Sequence, residues 1–515
     1  MSTLEEPTRT LAAPELAATA GSRRGSWIDR WDPDDIAFWK AGGARIARKN
    51  LVLSMVTDHL GFCIWVVWTI VVLNLADIGI TLSLSEQFVL TLLPNLIGSV
   101  LRVPYTFAVT RFGGRAWTAF SASLLAVPAL LLGVVVPSHW LVHQAHSTQM
   151  WVLALSAASA GVGGSIFASS MANISFFYPE RKKGWALGVN AAGGNLGVAV
   201  AQLLVPLVVI IGIPAAAVKL TKHPVHLAYA GLVWLPFIVA AAIAAWVYMD
   251  SLTEARADTA SYGAALRLGH TWVLSFLYIG TFGSFIGYSF ALPLVIKNSF
   301  PAFLAHHTFI ATYLAGLGFT GALLGSLSRP VGGWLADRVG GAKVTLATFA
   351  GMAIFTAAAI IGVDNHSFAL FFAAFQVIFV LAGMGNGSTY KMIPSVFSEL
   401  GLRTAAETGA DRGATAVEFK RRAAAVIGIA GAIGALGGVG VQVVIRQASL
   451  PISALEKAAR TPADKATVAI AHAAWSAPAL WAFLVSYVVF AAVTWGVYLR
   501  GRPDVGADVA VAAPA

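Results

Sequence analysis

From about residue 51 onward the chain alternates between long apolar stretches and short polar joints. A helix needs about 20 mainly apolar residues to cross a bilayer core of ~30 Å. On that scale twelve spans are predicted, beginning near 51, 88, 116, 150, 184, 227, 270, 308, 343, 367, 422 and 473. The fourth, fifth, eighth and tenth are diluted by Gly, Ser and Asn and stand out least. The first fifty residues are polar and lack the apolar core of a signal peptide, so no cleavable leader is expected; Arg23-Arg24 is followed by no apolar stretch. Within that tail a Trp- and Phe-bearing piece, Trp31 to Trp39, is expected to lie along the membrane surface.

Basic residues orient the spans. Arg45, Arg48 and Lys49 precede the first; Arg111 and Arg115 follow the second; Arg181, Lys182 and Lys183 follow the fourth; Arg256 and Arg267 follow the sixth. Arg338 and Lys343 follow the eighth, Lys420 to Arg422 follow the tenth, and Arg500 and Arg502 close the chain. The loops between these are mostly poorer, the main exceptions being Lys219, Lys222 and the last external loop. Positive residues hold loops on the cytoplasmic side, so both termini are expected there, in a cytoplasmic membrane. The expected division is a tail 1–50, a first six-helix half 51–250, a central cytoplasmic loop 251–269, a second half 270–500 and a tail 501–515.

Composition agrees. The chain is 57% hydrophobic and 11% charged, with a mean hydropathy of +0.75, against roughly a quarter charged in soluble domains. That excludes a soluble enzyme, a disordered protein and a nucleic-acid binder, despite a net charge of +10. Cys63 is the only cysteine, so a disulfide framework and a cysteine metal site are excluded. His139, His143 and His146 have near-ligand spacing but no Cys or carboxylate beside them, and read as a wet loop. No cofactor is called for.

The sequence also repeats. GSVLRVPYTFAVTRFGGRAWT around the second span matches GSLSRPVGGWLADRVGGAKVT around the eighth without a gap, pairing Gly98-Ser99, Arg102, Arg111, Gly113-Gly114 and Thr118 with residues 227 positions later. Gly188–Gln202 parallels Gly428–Gln442, and Gly161-Val162-Gly163 loosely parallels Gly383-Met384-Gly385. Three matches in one order predict an all-α protein of two pseudo-symmetric six-helix halves, with a transported substrate near mid-membrane between them.

Arg102 and Arg329 carry the chemistry. Each stands nine residues before a basic residue at a span's end, Arg111 and Arg338, which is about 13 Å into the bilayer. An arginine at that depth costs at least about 2.5 kcal/mol and keeps its proton. Each must meet either a structural carboxylate or carbonyl, or an anion. With few carboxylates at hand, a small planar oxyanion suits two guanidinium forks. Asn195 and Asn190 are amides within a span and need partners, either the anion or a neighbouring helix. Gly193, Gly194, Gly197, Gly434 and Gly437 clear the fifth and eleventh spans for close packing or sliding. Phe62, Phe167, Tyr278 and Phe282 are core residues or walls of the site; Tyr278 and Phe282 share a helix face. Arg111, Asp337 and Arg338 sit at span ends, bracing one conformation or merely solvated.

WDPDDIAFWKAGGARIARKNL, LRVPYTFAVTRFGGRAWTAFS, FASSMANISFFYPERKKGWALGVNAAGGNLG, LYIGTFGSFIGYSF and GNGSTYKMIPSVF closely resemble the nitrate–nitrite porter family of the major facilitator superfamily. The resemblance runs from Trp31 to the twelfth span. It implies nitrate import with nitrite export, or nitrate uptake with protons. The sequence itself is silent on oligomeric state, and a functional monomer is the expectation. The resemblance also implies that Arg102 and Arg329 bind the anion, that Phe62, Phe167, Tyr278 and Phe282 wall it, and that Asn195 is a polar contact. Two stretches depart from the family: a long loop from Leu400 to Lys420 and an extended external stretch from Gln447 to Ile470.

Coupling has two readings. Two facing arginines repel when the site is empty, which predicts obligatory exchange. Symport needs a group that titrates within the membrane, and Asp58, His59 and Lys391 are the candidates; the alternatives are that Asp58 pairs with Lys391 or a backbone donor and that His59 is a satisfied structural histidine. A sensor built on a transporter body would need a signalling domain for which neither tail has room.

Overall fold

The computed structural model describes residues 26–212, 225–253, 255, 259–459, 461 and 474–500. Eleven helices among them are long and apolar enough to cross a membrane: α1 Ile36–Asn74, α2 Leu84–Phe112, α3 Gly114–Val135, α4 His146–Phe177, α5 Arg181–Ile211, α6 Tyr229–Tyr248, α7 Gly269–Ser299, α9 Gly341–Asp364, α10 Phe368–Thr408, α11 Arg412–Glu456 and α12 Ala477–Leu499. Between α7 and α9 runs α8, Gly318–Val339, whose 22 residues are diluted by Gly, Ser and Arg. Of the four spans expected to be weak, only α8 falls short by hydropathy; α4, α5 and α10 each contain a stretch apolar enough to span. It also starts ten residues later than the expected 308, because Pro301–His306 and Thr308–Tyr313 are short separate helices and Leu317 enters α8 with φ 67°.

The two halves pack alike. Gly61 in α1 faces the Gly163 carbonyl in α4, and in the second half Thr281 in α7 faces Gly385 in α10. Gly194 in α5 lies against Asp58 and Phe62, and Gly434 in α11 lies against Tyr278. The five singled-out glycines all stand where helices meet: Gly193 on Met55, Gly197 on the His59 carbonyl, and Gly437 on Ile279 and Gly283. A Cβ at any of them would enter a neighbour, so glycine sets the helix spacing.

Three expectations need correcting. The aromatic piece from Trp31 to Trp39 does not lay its rings on a membrane surface. Trp31, Phe38 and Trp39 are buried, with Trp31 edge-on to Phe177 at 5.4 Å and Trp39 to Tyr178 at 5.6 Å. Protein rather than lipid covers them, because strand β1, Trp27–Ile28, pairs in parallel with β2, Ser251–Leu252, and draws the segment inward. The connecting region 251–269 holds β2 and a short helix, Thr259–Leu266.

Nor is there a long loop at 400–420. α10 continues to Thr408, ends at Gly409 with φ 68°, and α11 begins at Arg412 with Asp411 accepting from the Ala414 amide at 2.6 Å. At 1.5 Å per residue these helices outlast a ~30 Å core, so their polar turns are helix standing in water. The stretch 447–470 likewise begins as helix, through Ala458; residues 462–470 lie outside the described residues.

Candidate functional site

A cavity of about 600 Å³ runs into the bundle between α2, α4, α5, α10 and α11. Its mouth is at the face that carries residues 27 and 500, beside Lys183, Arg421 and Tyr262. Burial pushes the Tyr262 phenol up to about 12, so it stays neutral while the mouth stays positive. At the other face the halves are sealed. Lys297 donates to the Leu73 carbonyl at 2.6 Å, Gln202 to the Ser289 carbonyl at 2.6 Å, and the Ser85 amide to Ser453 Oγ at 3.0 Å. Trp65 packs edge-on to Phe290 across the same boundary at 5.2 Å.

Arg102 ends the cavity. It is 1% exposed, and its Nε donates to the Gly164 carbonyl at 3.1 Å while Nη1 donates to the Gly431 carbonyl at 3.0 Å. Its Nη2 has no partner among the described residues. Three rings enclose the guanidinium: Phe167 at 4.9 Å, Phe282 at 5.2 Å and Trp65 at 5.4 Å. Desolvated contacts of this kind are worth about 2 kcal/mol each. Gly164 has no side chain because the Trp65 ring occupies that space.

Arg329, 7% exposed, reaches the same region from the other half, off the cavity wall and under Tyr390, whose ring centroid is 5.2 Å from its Cζ. Its Nη2 donates to Tyr278 Oη at 3.1 Å, and its Nη1 has no partner among the described residues. The two guanidiniums are near enough to repel. Neither has a carboxylate within ion-pair distance among the described residues.

One wide, π-type turn at Ile279–Gly283 builds the second wall. Such turns recur at functional sites because they re-aim side chains. Here the turn stacks Tyr278 and Phe282 with centroids 5.3 Å apart and planes within 8° of parallel. Gly280 makes room for Phe349 and Phe490, and Gly283 for Gly437.

The other singled-out residues fall into place around this core. Phe62 stands one ring further back, edge-on to Trp65 at 5.4 Å and to Phe167 at 5.9 Å. Asn195 is buried with both amide atoms unpartnered among the described residues, and no described contact joins it to either arginine. Asn190 is bonded to Ser170 on α4, a helix–helix link. His59 bonds the Gly193 carbonyl through Nδ1 at 2.9 Å. Asp58 is 0% exposed, with both carboxylate oxygens unpartnered among the described residues.

Lys391 is a correction. It is not a buried titrating group and does not meet Asp58. Its ammonium pairs with Asp337 at 2.9 Å, with side chains 48% and 55% exposed, at the last turn of α8. Of the span-end charges, Asp337 is thus paired with Lys391, from α8 to α10. Arg338 covers the Trp334 ring at 4.0 Å, and Arg111 covers Phe112 at 5.5 Å. On the opposite face His146 bonds Glu86 at 2.9 Å and His143 bonds the His139 carbonyl; no metal-holding cluster occurs among the described residues.

Sequence reasoning missed Trp65, Tyr390 and the carbonyls of Gly164 and Gly431. A signal for Tyr390 was present: the offset that pairs Gly163 with Gly385 sets Tyr390 next to the counterpart of Phe167.

The sequence model of the Major Facilitator Superfamily matches residues 59–440. The chain is 36% identical over 489 residues to the nitrate/nitrite transporter NarU of Escherichia coli, covering 92% of this chain and 96% of that one. It is 34% identical over 390 residues to the probable nitrate/nitrite antiporter NarK2 of Thermus thermophilus, covering 73% and 84%. Among solved structures, a D-xylose–proton symporter aligns with a TM-score of 0.60 at 14% identity, covering 89% of this chain and 99% of that one, a likeness of fold. The chain is a multi-pass membrane transporter and not an enzyme, and it belongs to the nitrate–nitrite porter family of the major facilitator superfamily.

Proposed function

We propose that the chain carries nitrate inward across the cytoplasmic membrane in exchange for nitrite, by alternating access around Arg102 and Arg329. The observation that carries this reading is the pair itself: one buried guanidinium from each half, each with a terminal amino group unpartnered. A planar oxyanion between them would accept charge-assisted hydrogen bonds from both forks. Phe167, Phe282 and Tyr278 supply flat walls that fit a flat guest and exclude water. Both arginines come from one chain, so a monomer suffices. Basic residues crowd the face that carries residues 27 and 500, which we take as the cytoplasmic one, and the cavity opens there.

Exchange follows from charge. Closing the halves round two bare guanidiniums sets like charges against each other in a low dielectric, and a monovalent anion relieves this. Labelled nitrate should enter vesicles loaded with nitrite many times faster than vesicles without it. Equal rates would defeat exchange. Proton symport is the second reading, favoured by one observation, the buried and unpartnered carboxylate of Asp58.

A further inference from the structure

Asp58 has a counterpart. An offset of 220 residues pairs it with Tyr278, as it pairs Phe62 with Phe282 and Trp65 with Phe285. The matched glycines agree: Gly194 abuts Asp58 and Gly434 abuts Tyr278. In the second half the Tyr278 hydroxyl accepts from Arg329. In the first half an acid stands in that place, within electrostatic reach of Arg102.

An ionised carboxylate in the membrane interior is costly without donors or a counter-charge. Asp58 has few neighbours to provide either. Arg102 on α2 is the charge that faces it. On α4 the Ser170 hydroxyl accepts from Asn190 and stands beside the carboxylate with its own proton free to donate to it, and one neutral hydroxyl does not replace a counter-charge. α5 presents Gly194. The charges packed from the α3 and α6 side are elsewhere: Arg115 bonds the Trp246 carbonyl, and Asp250 is held by Lys49 and Asn50, about 12 Å along α1. His59 on α1 itself bonds Gly193. Asp58 therefore has two stable conditions, a protonated acid or a carboxylate leaning on Arg102.

We infer that Asp58 is a proton-carrying site that links one proton to each anion transported. This rests on the two-arginine reading. When an anion occupies Arg102, the carboxylate loses its counter-charge and takes a proton from the outer aqueous phase. When the anion leaves to the cytoplasm, the proton leaves Asp58 the same way, and the carboxylate turns to Arg102. The loaded, protonated site and the empty, ionised site then carry the same net charge. Both pass through the closed state alike, so the empty carrier returns and nitrate accumulates without an internal exchange partner. Exchange persists alongside, with Asp58 protonated throughout.

The test uses the full-length protein in vesicles free of internal anion, with the membrane potential clamped and the outside one pH unit more acid. Wild type should concentrate labelled nitrate about tenfold, the ratio one pH unit sets for one-to-one symport. A pH dye trapped inside should report one proton entering per nitrate. Asp58→Asn should abolish accumulation while still exchanging labelled nitrate for internal nitrite. Accumulation by Asp58→Asn at the wild-type level, or wild type that neither accumulates nitrate nor acidifies the lumen, overturns the inference. A wild type that brings in no proton overturns the inference even where Asp58→Asn fails to fold, and Asp58→Glu, which keeps the acid, should retain accumulation. Failure of the two-arginine reading looks different: Arg102→Lys and Arg329→Lys would then leave nitrate–nitrite exchange intact.

Discussion

The guanidinium of Arg102, in the first half, donates to the backbone carbonyl of Gly431, in the second, at 3.0 Å. The bond crosses the boundary along which the halves must move. It is made beside the cavity's inner end, with a second amino group of the same arginine left unpartnered. A side chain that already touches both halves is well placed to report to one half what is bound in the other.

Tyr278→Phe removes the acceptor for Arg329 Nη2 and leaves a buried charged donor unpaired. Hydrogen bonds to charged groups are worth about 1.5–3 kcal/mol. Counterflow measurements should find KM for nitrate raised about tenfold or more. An unchanged KM would remove Tyr278 from the site.

Gly194→Ala and Gly434→Ala would push a methyl into the Asp58 carboxylate and the Tyr278 ring, respectively. Overpacking of this kind costs about 1–3 kcal/mol. Thermal unfolding in detergent should show both melting several degrees below wild type. Gly440→Ala, whose Cβ meets open space, should melt with wild type or slightly above it.

The Asp337–Lys391 pair is half-exposed on both sides, where ion pairs contribute about 0–1 kcal/mol. Lys391→Ala should cost little stability and leave the proton dependence of uptake unchanged. Loss of that dependence would return Lys391 to the coupling machinery.

Lys183 and Arg421 stand at the cavity mouth. Their charge should steer anions inward, an effect that salt screens. Replacing both with Ala should slow nitrite entry from the face that carries residues 27 and 500 severalfold at low salt, and the difference should vanish near 0.5 M salt, where the screening length is about 4 Å. A salt-independent defect would mean a structural role.

Twelve helices were legible because lipid contact leaves a hydropathy mark, faintest in α8, where Gly, Ser and Arg dilute it. The length of α10 and α11 was not, because a helix leaving the membrane turns polar without ceasing to be helix. The fate of Trp31 and Trp39 was equally hidden, since the strand pair that pulls their segment inward joins residues more than 200 positions apart. Arg102 and Arg329 announced themselves through the cost of a charge at depth. Lys391 misled because position along a helix does not fix depth when the helix overruns the bilayer. Backbone carbonyls, such as those of Gly164 and Gly431, carry no residue code at all.

The most direct test is counterflow of labelled nitrate against internal nitrite with Arg102→Lys and Arg329→Lys. Lysine keeps each charge and loses the planar fork. Each variant should retain its fold and lose at least tenfold in kcat/KM. Transport near the wild-type rate by either variant would contradict recognition of the anion by two paired guanidiniums.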